Sequence, residues 1–133
     1  MIKRRKYGNK KVSVGGRTFD SRREADRYLV LREAELRGEI SDLECQPTWE
    51  LVPHQYATEI VQLKTKTKEV QRLVERKIEY TADFRYVKNG EVVVEDVKIN
   101  KRLLPKEFVL KRKLMLWRHG IRIREVYKAV EPV

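Results

Sequence analysis

An α/β fold is what this sequence predicts, on three observations. Two strand-like runs near its centre are joined by Lys88-Asn89-Gly90-Glu91, and Asn-Gly between apolar, β-branched runs is the strongest short-range signal of a hairpin. A helical pattern stands on either side of that hairpin. The elements then run in the order β, α, β, β, β, α, β, with no internal repeat and no low-complexity linker.

Each element has a local reason. Val12-Ser13-Val14, Gly15-Gly16 and Arg17-Thr18-Phe19 read as a small hairpin. Asp20-Ser21 caps the first helix, and Ser21-x-x-Glu24 fits a capping box. Ala25, Tyr28, Leu29, Arg32 and Leu36 then recur at helical spacing, with Gly38 placed as the stop. Gln46-Pro47 leads into a strand at Trp49-Glu50-Leu51-Val52. Between Pro53 and Arg76 the pattern divides: Thr65-Lys66-Thr67-Lys68 alternates like an exposed strand, while Val70, Leu73 and Val74 suit a helical turn. A long solvated extension of a hairpin is the reading preferred there. Lys77 to Val87 and Glu91 to Lys98 are strands. Pro105 opens a second helix with a buried stripe at Leu110, Leu114 and Trp117, and Gly120 closes it before a last strand from Ile121 to Val126. Tyr28, Trp117 and Cys45 are expected in the core, and His119 suits the negative end of its helix.

The chain has 133 residues, which suits one domain. It is placed at residues 12–133, behind a basic arm at residues 1–11 that carries Lys3, Arg4 and Arg5. Lys and Arg total 31 against 20 Asp and Glu, for a net charge of +11. Such a surplus favours a polyanionic partner, because Lys and Arg contacts to phosphate release condensed counterions. Lys106, Lys111, Arg112 and Lys113 on the second helix extend this basic character and are candidate DNA contacts. No segment approaches the ~20 apolar residues a bilayer span requires, so a membrane is not expected as a partner. The first residues lack the apolar stretch of a secretory signal. A single cysteine, Cys45, leaves no internal disulfide or Cys-rich zinc site, and the expectation is a reducing, cytoplasmic compartment.

The chemistry is expected at Asp83, Asp96 and Lys98. Side chains alternate along a strand, so Asp96 and Lys98 share one face while Glu95 and Val97 take the other. Across the hairpin Asp83 can reach the face of Asp96. A surface ion pair at a strand end is the plain alternative, common and worth little. Two carboxylates and an ammonium at the end of an apolar sheet instead suit a divalent cation acting on phosphates. Mg²⁺ needs only one or two carboxylates, completed by waters and substrate oxygens. It supplies Lewis acidity and lowers the pKa of bound water, and a neighbouring lysine can steady developing charge.

Asp83, the hairpin and Asp96-Val97-Lys98 resemble the motif of the PD-(D/E)XK nuclease superfamily, whose αβββαβ core matches the order from Ser21 onward. A small group of phage proteins related to Holliday-junction resolvases is more similar still. In that group a Phe-Asp-Ser-x-x-Glu-Ala start, a Gln-Pro strand, a Tyr-x-Ala-Asp-Phe strand and a Val-Glu-Asp-Val-Lys strand recur in order. Here they are Phe19 to Ala25, Gln46-Pro47, Tyr80 to Phe84 and Val94 to Lys98. The resemblance covers roughly residues 12–128. It implies a restriction-endonuclease-like α/β core with a mixed central sheet flanked by helices. It implies Mg²⁺ (or Mn²⁺) held by Asp83, Asp96, the Val97 carbonyl and Glu24, with Lys98 and Gln46 in catalytic roles. It further implies branched DNA or a Holliday junction as substrate in phage replication or recombination, and a homodimer suits paired cuts. Ala82 stands where the superfamily keeps a proline, and Ile99 where this group carries glycine. Two rivals remain: a non-catalytic DNA-binding protein that retains the fold, and a small basic scaffold that binds RNA. For Glu24 a capping role, and for Gln46 a plain strand entry, are the alternatives.

Overall fold

A computed structural model describes residues 10–133. The candidate contacts Lys3, Arg4 and Arg5 lie outside the described residues. In chain order the elements are β1 (Val12–Val14), β2 (Arg17–Phe19), α1 (Arg22–Leu36), β3 (Ser41–Cys45), β4 (Thr48–Val52), β5 (Gln55–Gln62), β6 (Thr67–Glu75), β7 (Ile78–Thr81), β8 (Phe84–Lys88), β9 (Glu91–Val97), α2 (Lys106–His119) and β10 (Arg124–Val126). They form two compact units, one of Thr48–Thr81 and one of the residues up to Pro47 with Ala82–Val133.

The larger unit holds a four-stranded mixed sheet in the order β10-β9-β8-β3, with β10 parallel to β9 and the other neighbours antiparallel. The hairpin at Asn89-Gly90 forms as the sequence predicts. Its turn residues take φ of 51° and 78°, the left-handed values that Asn and Gly tolerate best. β1 and β2 pair as a small separate ribbon, also as expected. Phe19, Ala25, Leu31, Ala34, Ile40, Phe84 and Tyr86 make one buried cluster, with Tyr28, Cys45 and Val97 packed against it. The rings of Phe19 and Tyr28 lie 5.1 Å apart.

Each helix turns inward only part of the face that the sequence predicts. On α1 the buried residues are Ala25, Arg27, Leu31 and Ala34, while Leu29 lies exposed and Leu36 is 71% exposed. Arg32 is exposed as well. The cause is Arg27, which is completely buried and ion-paired at 2.7 Å with Glu95 of β9, also completely buried. With Arg27 included, positions 27, 31 and 34 form a regular stripe. On α2 the buried residues are Phe108 and Met115, not the predicted Leu110 and Trp117. Leu114 is only partly buried, Leu110 is exposed, and Trp117 is 80% exposed. Lys111 and Arg112 occupy the inner stripe between Phe108 and Met115, held by Glu107 and Glu125 at 3.0 Å each.

Two strand expectations also change. The run from Lys77 to Val87 is not one strand: it breaks at Ala82-Asp83 into β7 and β8, which belong to different sheets. The last strand is shorter than Ile121 to Val126, because only Arg124–Val126 pairs with β9. β3 has no clear sequence signal, since Ser-Asp-Leu-Glu-Cys has little β pattern and Asp42 sits at φ 55° beside an irregularity in the register.

The smaller unit is built of antiparallel pairs. β4 pairs with β7 and β5 with β6. The solvated hairpin preferred for residues 53–76 is what forms, and Val70, Leu73 and Val74 lie in its second strand rather than in a helical turn. Trp49 faces Tyr80 with rings 6.4 Å apart, and the Thr48 and Thr81 hydroxyls bond at 2.8 Å. Cross-strand pairs of these kinds hold such ribbons together.

Candidate active site

The site begins where β9 ends. Phe84 faces Glu95 across the hairpin, and the Asp83 N–H donates to the Glu95 carbonyl at 3.2 Å. This register sets Asp83 beside Asp96, and their two carboxyls share a hydrogen bond. One oxygen of Asp83 also accepts from the Val97 N–H at 2.7 Å. Asp96 is 7% exposed. Burial, first, and the neighbouring charge of Asp96, second, push the Asp83 carboxyl up to about 9, with Glu24 adding to the effect. The Val97 N–H pulls the other way. Burial and the neighbouring carboxylate both disfavour the ionised form of Asp83, so it is the carboxyl that tends to keep its proton.

Lys98 comes next on the chain. Its backbone N–H is tied to the Val126 carbonyl at 2.8 Å, which anchors it to β10. Its ammonium lies 3.6 Å from Asp96 Oδ1 and 3.9 Å above the Phe108 ring centre. The lysine is thus held between a carboxylate and an aromatic face.

Glu24 comes from the first turn of α1. Its N–H donates to Ser21 Oγ at 3.2 Å, so the predicted cap forms. Its carboxyl is raised, chiefly by burial and then by the charge of Asp20, while the Asp20 backbone hydrogen bond opposes this. The same carboxyl feels Asp96, which raises it, and Lys98, which lowers it. Capping and membership of the acidic cluster therefore coexist in one residue.

Gln46 joins the site through its backbone. Its N–H donates to the Asp83 carbonyl at 2.9 Å, and the Ala82 N–H donates to the Pro47 carbonyl at 3.0 Å. Gln46 holds a φ of 54°, a left-handed conformation that costs a side-chain-bearing residue about 1–3 kcal/mol. Its side chain is exposed.

Two cavities open beside the cluster. One of about 300 Å³ is lined by Ser21, Arg22, Arg23, Glu24, Val97 and Ile99. The other, about 430 Å³ and more apolar, runs along Lys98, Ile99, Leu103, Leu104 and Pro105. Ile99 borders both and is 69% exposed. A third, of about 330 Å³, includes Arg112, Lys113 and Arg122 in its wall. Of the candidate DNA contacts, Lys106 and Lys113 are exposed, whereas Lys111 and Arg112 are engaged by Glu107 and Glu125.

Two residues of the site escape the sequence reading: Phe108, whose ring carries the Lys98 ammonium, and Asp20, whose charge loads Glu24. For Phe108 a signal exists, because it sits seven residues before Met115, a helical spacing that the intervening cations obscure. No partner for Glu95 is legible in the chain, although its exclusion from the site agrees with its burial on the other face. Among the described residues no group of three or more His, Cys, Asp and Glu side chains is already arranged to hold a metal ion. The donor chemistry that is present, two hydrogen-bonded carboxyls with a third nearby, is of the oxygen-rich kind that a hard divalent cation takes.

A family model matches residues 4–131. The chain belongs to that family, described as Protein of unknown function (DUF1064). The match takes in every element of the fold and each of Glu24, Gln46, Asp83, Asp96 and Lys98. No curated protein and no solved structure matches the chain. Among the described residues no helix is long and apolar enough to cross a membrane.

Proposed function

We propose that this protein is a divalent-metal-dependent endonuclease of the PD-(D/E)XK kind that hydrolyses DNA phosphodiester bonds. The observation that carries the reading is the Asp83–Asp96 pair, side by side and hydrogen-bonded, with the Lys98 ammonium 3.6 Å from Asp96. Asp83 and Asp96 would hold Mg²⁺ or Mn²⁺, with Glu24 and the Val97 carbonyl as further oxygen donors. The cation would supply Lewis acidity and an acidified water. Lys98, steadied by Phe108, orients its charge towards the oxygen that gains negative charge. The net charge of +11 favours a nucleic acid as the substrate. Branched or junction DNA, and action as a two-fold homodimer, rest on the resemblance to the resolvase-related phage group.

Nicking of DNA in Mg²⁺ or Mn²⁺, compared among wild type, Asp96→Ala and Lys98→Ala, tests this. Loss of about 10²–10⁴ in rate is expected for each substitution. Cleavage that survives both would remove the site. One observation favours a second reading, a DNA-binding protein without turnover: Ile99 projects where the resembling group has glycine. Tight binding by wild type without cleavage in either metal would establish that alternative.

A further inference from the structure

The smaller unit carries a ribbon whose tip is basic. β5 has eight residues and β6 nine, so the ribbon extends for about 27 Å at the usual strand rise. Every residue of β5 but Val61, and every residue of β6 but Val70, is exposed. The strands are joined by Leu63-Lys64-Thr65-Lys66, closed by the Leu63 N–H donating to the Lys66 carbonyl at 2.8 Å. Lys64, Lys66 and Lys68 are all exposed, and no acidic residue interrupts positions 63–68. None of the three lysines takes part in an ion pair among the described residues. Lower on the ribbon the charges are neutralised instead, as in Arg72 with Glu59 at 2.8 Å.

This distribution has a chemical meaning. Three uncompensated ammonium groups within five residues repel one another, so an isolated ribbon gains nothing by gathering them. A strip of phosphates relieves that repulsion and releases counterions. Two antiparallel strands are also of a size that the major groove of B-form DNA admits, whereas the deep, narrow groove of an RNA duplex does not. Thr65 and Thr67 add hydroxyls that can donate to phosphate oxygens.

We infer that the β5–β6 ribbon is a DNA-gripping arm, with Lys64, Lys66 and Lys68 on the phosphate backbone of a B-form duplex. The inference rests on the proposed reading of DNA as substrate, and it assigns the contact to residues outside the candidate catalytic cluster. The arm contributes affinity without sequence choice, since phosphate contacts position a protein and base contacts specify.

Equilibrium binding of a fluorescent DNA duplex, measured over a series of salt concentrations with the full chain, tests it. Replacing Lys64, Lys66 and Lys68 together by alanine is expected to lower the slope of log affinity against log salt by about 2–3, near 0.9 for each phosphate no longer neutralised. The same three positions changed to arginine are expected to keep the wild-type slope. An unchanged slope in the alanine variant, with wild type binding DNA strongly, overturns the arm and leaves the nuclease reading intact. Equal, lysine-dependent binding of duplex RNA overturns the assignment to B-form DNA. Absence of any salt-dependent DNA binding by wild type overturns the nuclease reading, and the arm with it.

Discussion

Glu95 and Asp96 are neighbours on one strand, both buried, yet their surroundings are opposite in kind. Glu95 faces α1, where Arg27 grips both of its oxygens at 2.7 and 2.8 Å. The Tyr86 hydroxyl donates to it, and Arg124 lies 3.4 Å away. Arg27 in turn donates to the Ala129 carbonyl at 3.0 Å and to that of Glu131. Here the carboxylate meets opposite charge and each of its oxygens meets a donor. Asp96 instead faces Asp83 and Glu24, with the Lys98 ammonium 3.6 Å away. A buried carboxylate matched by cations belongs to the architecture. A buried cluster in which carboxyls crowd one another is destabilising by itself and is the usual mark of a functional site. The strand's alternation thus separates a structural acid from an acid of the candidate site at a spacing of one residue.

The largest expected effect breaks the compensated side. Arg27→Ala leaves Glu95 buried with its main partner gone, which costs about 3–5 kcal/mol in such settings. Urea denaturation is expected to show that loss, or no folded protein at all. Glu95→Gln keeps the shape and removes the charge, so it strands Arg27 and is also expected to destabilise. If Arg27→Ala instead unfolds at the wild-type urea concentration, the contrast between the two faces is wrong.

A smaller effect of opposite sign is expected on the other side. Asp83→Asn removes one of the repelling groups and retains an oxygen for the Val97 N–H, so the metal-free protein should gain about 0.5–2 kcal/mol while losing cleavage. The pH dependence sharpens the point. An acid whose folded pKa is raised keeps in the native state a proton that the unfolded chain has already lost. For Asp83, raised from 3.8 to about 9, the contribution to stability is fullest below 3.8 and drains away as pH rises towards 9. Metal-free wild type should therefore lose stability across that window, and Asp83→Asn should lose less. Parallel stability profiles for the two proteins in EDTA would contradict the raised Asp83 carboxyl.

The same contrast explains what can be read from the chain. The acidic site is legible because its residues sit where alternation and the Asn-Gly turn dictate: Asp83 and Asp96 meet by register alone. Glu24 is legible through its cap. Arg27 and Glu95 are not, because a buried ion pair looks in sequence like two surface charges. That ambiguity spreads to the helices, whose inward stripes each contain a cation, Arg27 on α1 and Lys111 with Arg112 on α2. Counting only apolar residues therefore selects Leu36 and Trp117, which face outward. The break at Ala82-Asp83 is hidden for another reason. Ala82 and Asp83 are weak strand formers, but two such residues do not by themselves end a strand, and the division is completed by tertiary pairing to two different sheets.

The smallest expected effect concerns how Lys98 is held. Its ammonium has Asp96 on one side and the Phe108 ring on the other, and only the ring is missing from the sequence motif. Phe108→Leu keeps an apolar side chain there but removes the π face, which is worth roughly 0.5–1 kcal/mol, or about two- to fivefold in kcat/KM. Phe108→Tyr keeps the face and should keep the rate, provided the protein tolerates the added hydroxyl. Lys98→Ala should lose far more than either. The ordering discriminates between two roles for the ring. Were Phe108 only core, Phe108→Leu would lower the melting temperature and leave the proposed cleavage rate of the folded protein alone. A rate loss at temperatures where the variant is fully folded, absent in the tyrosine variant, is what a ring that positions the lysine predicts.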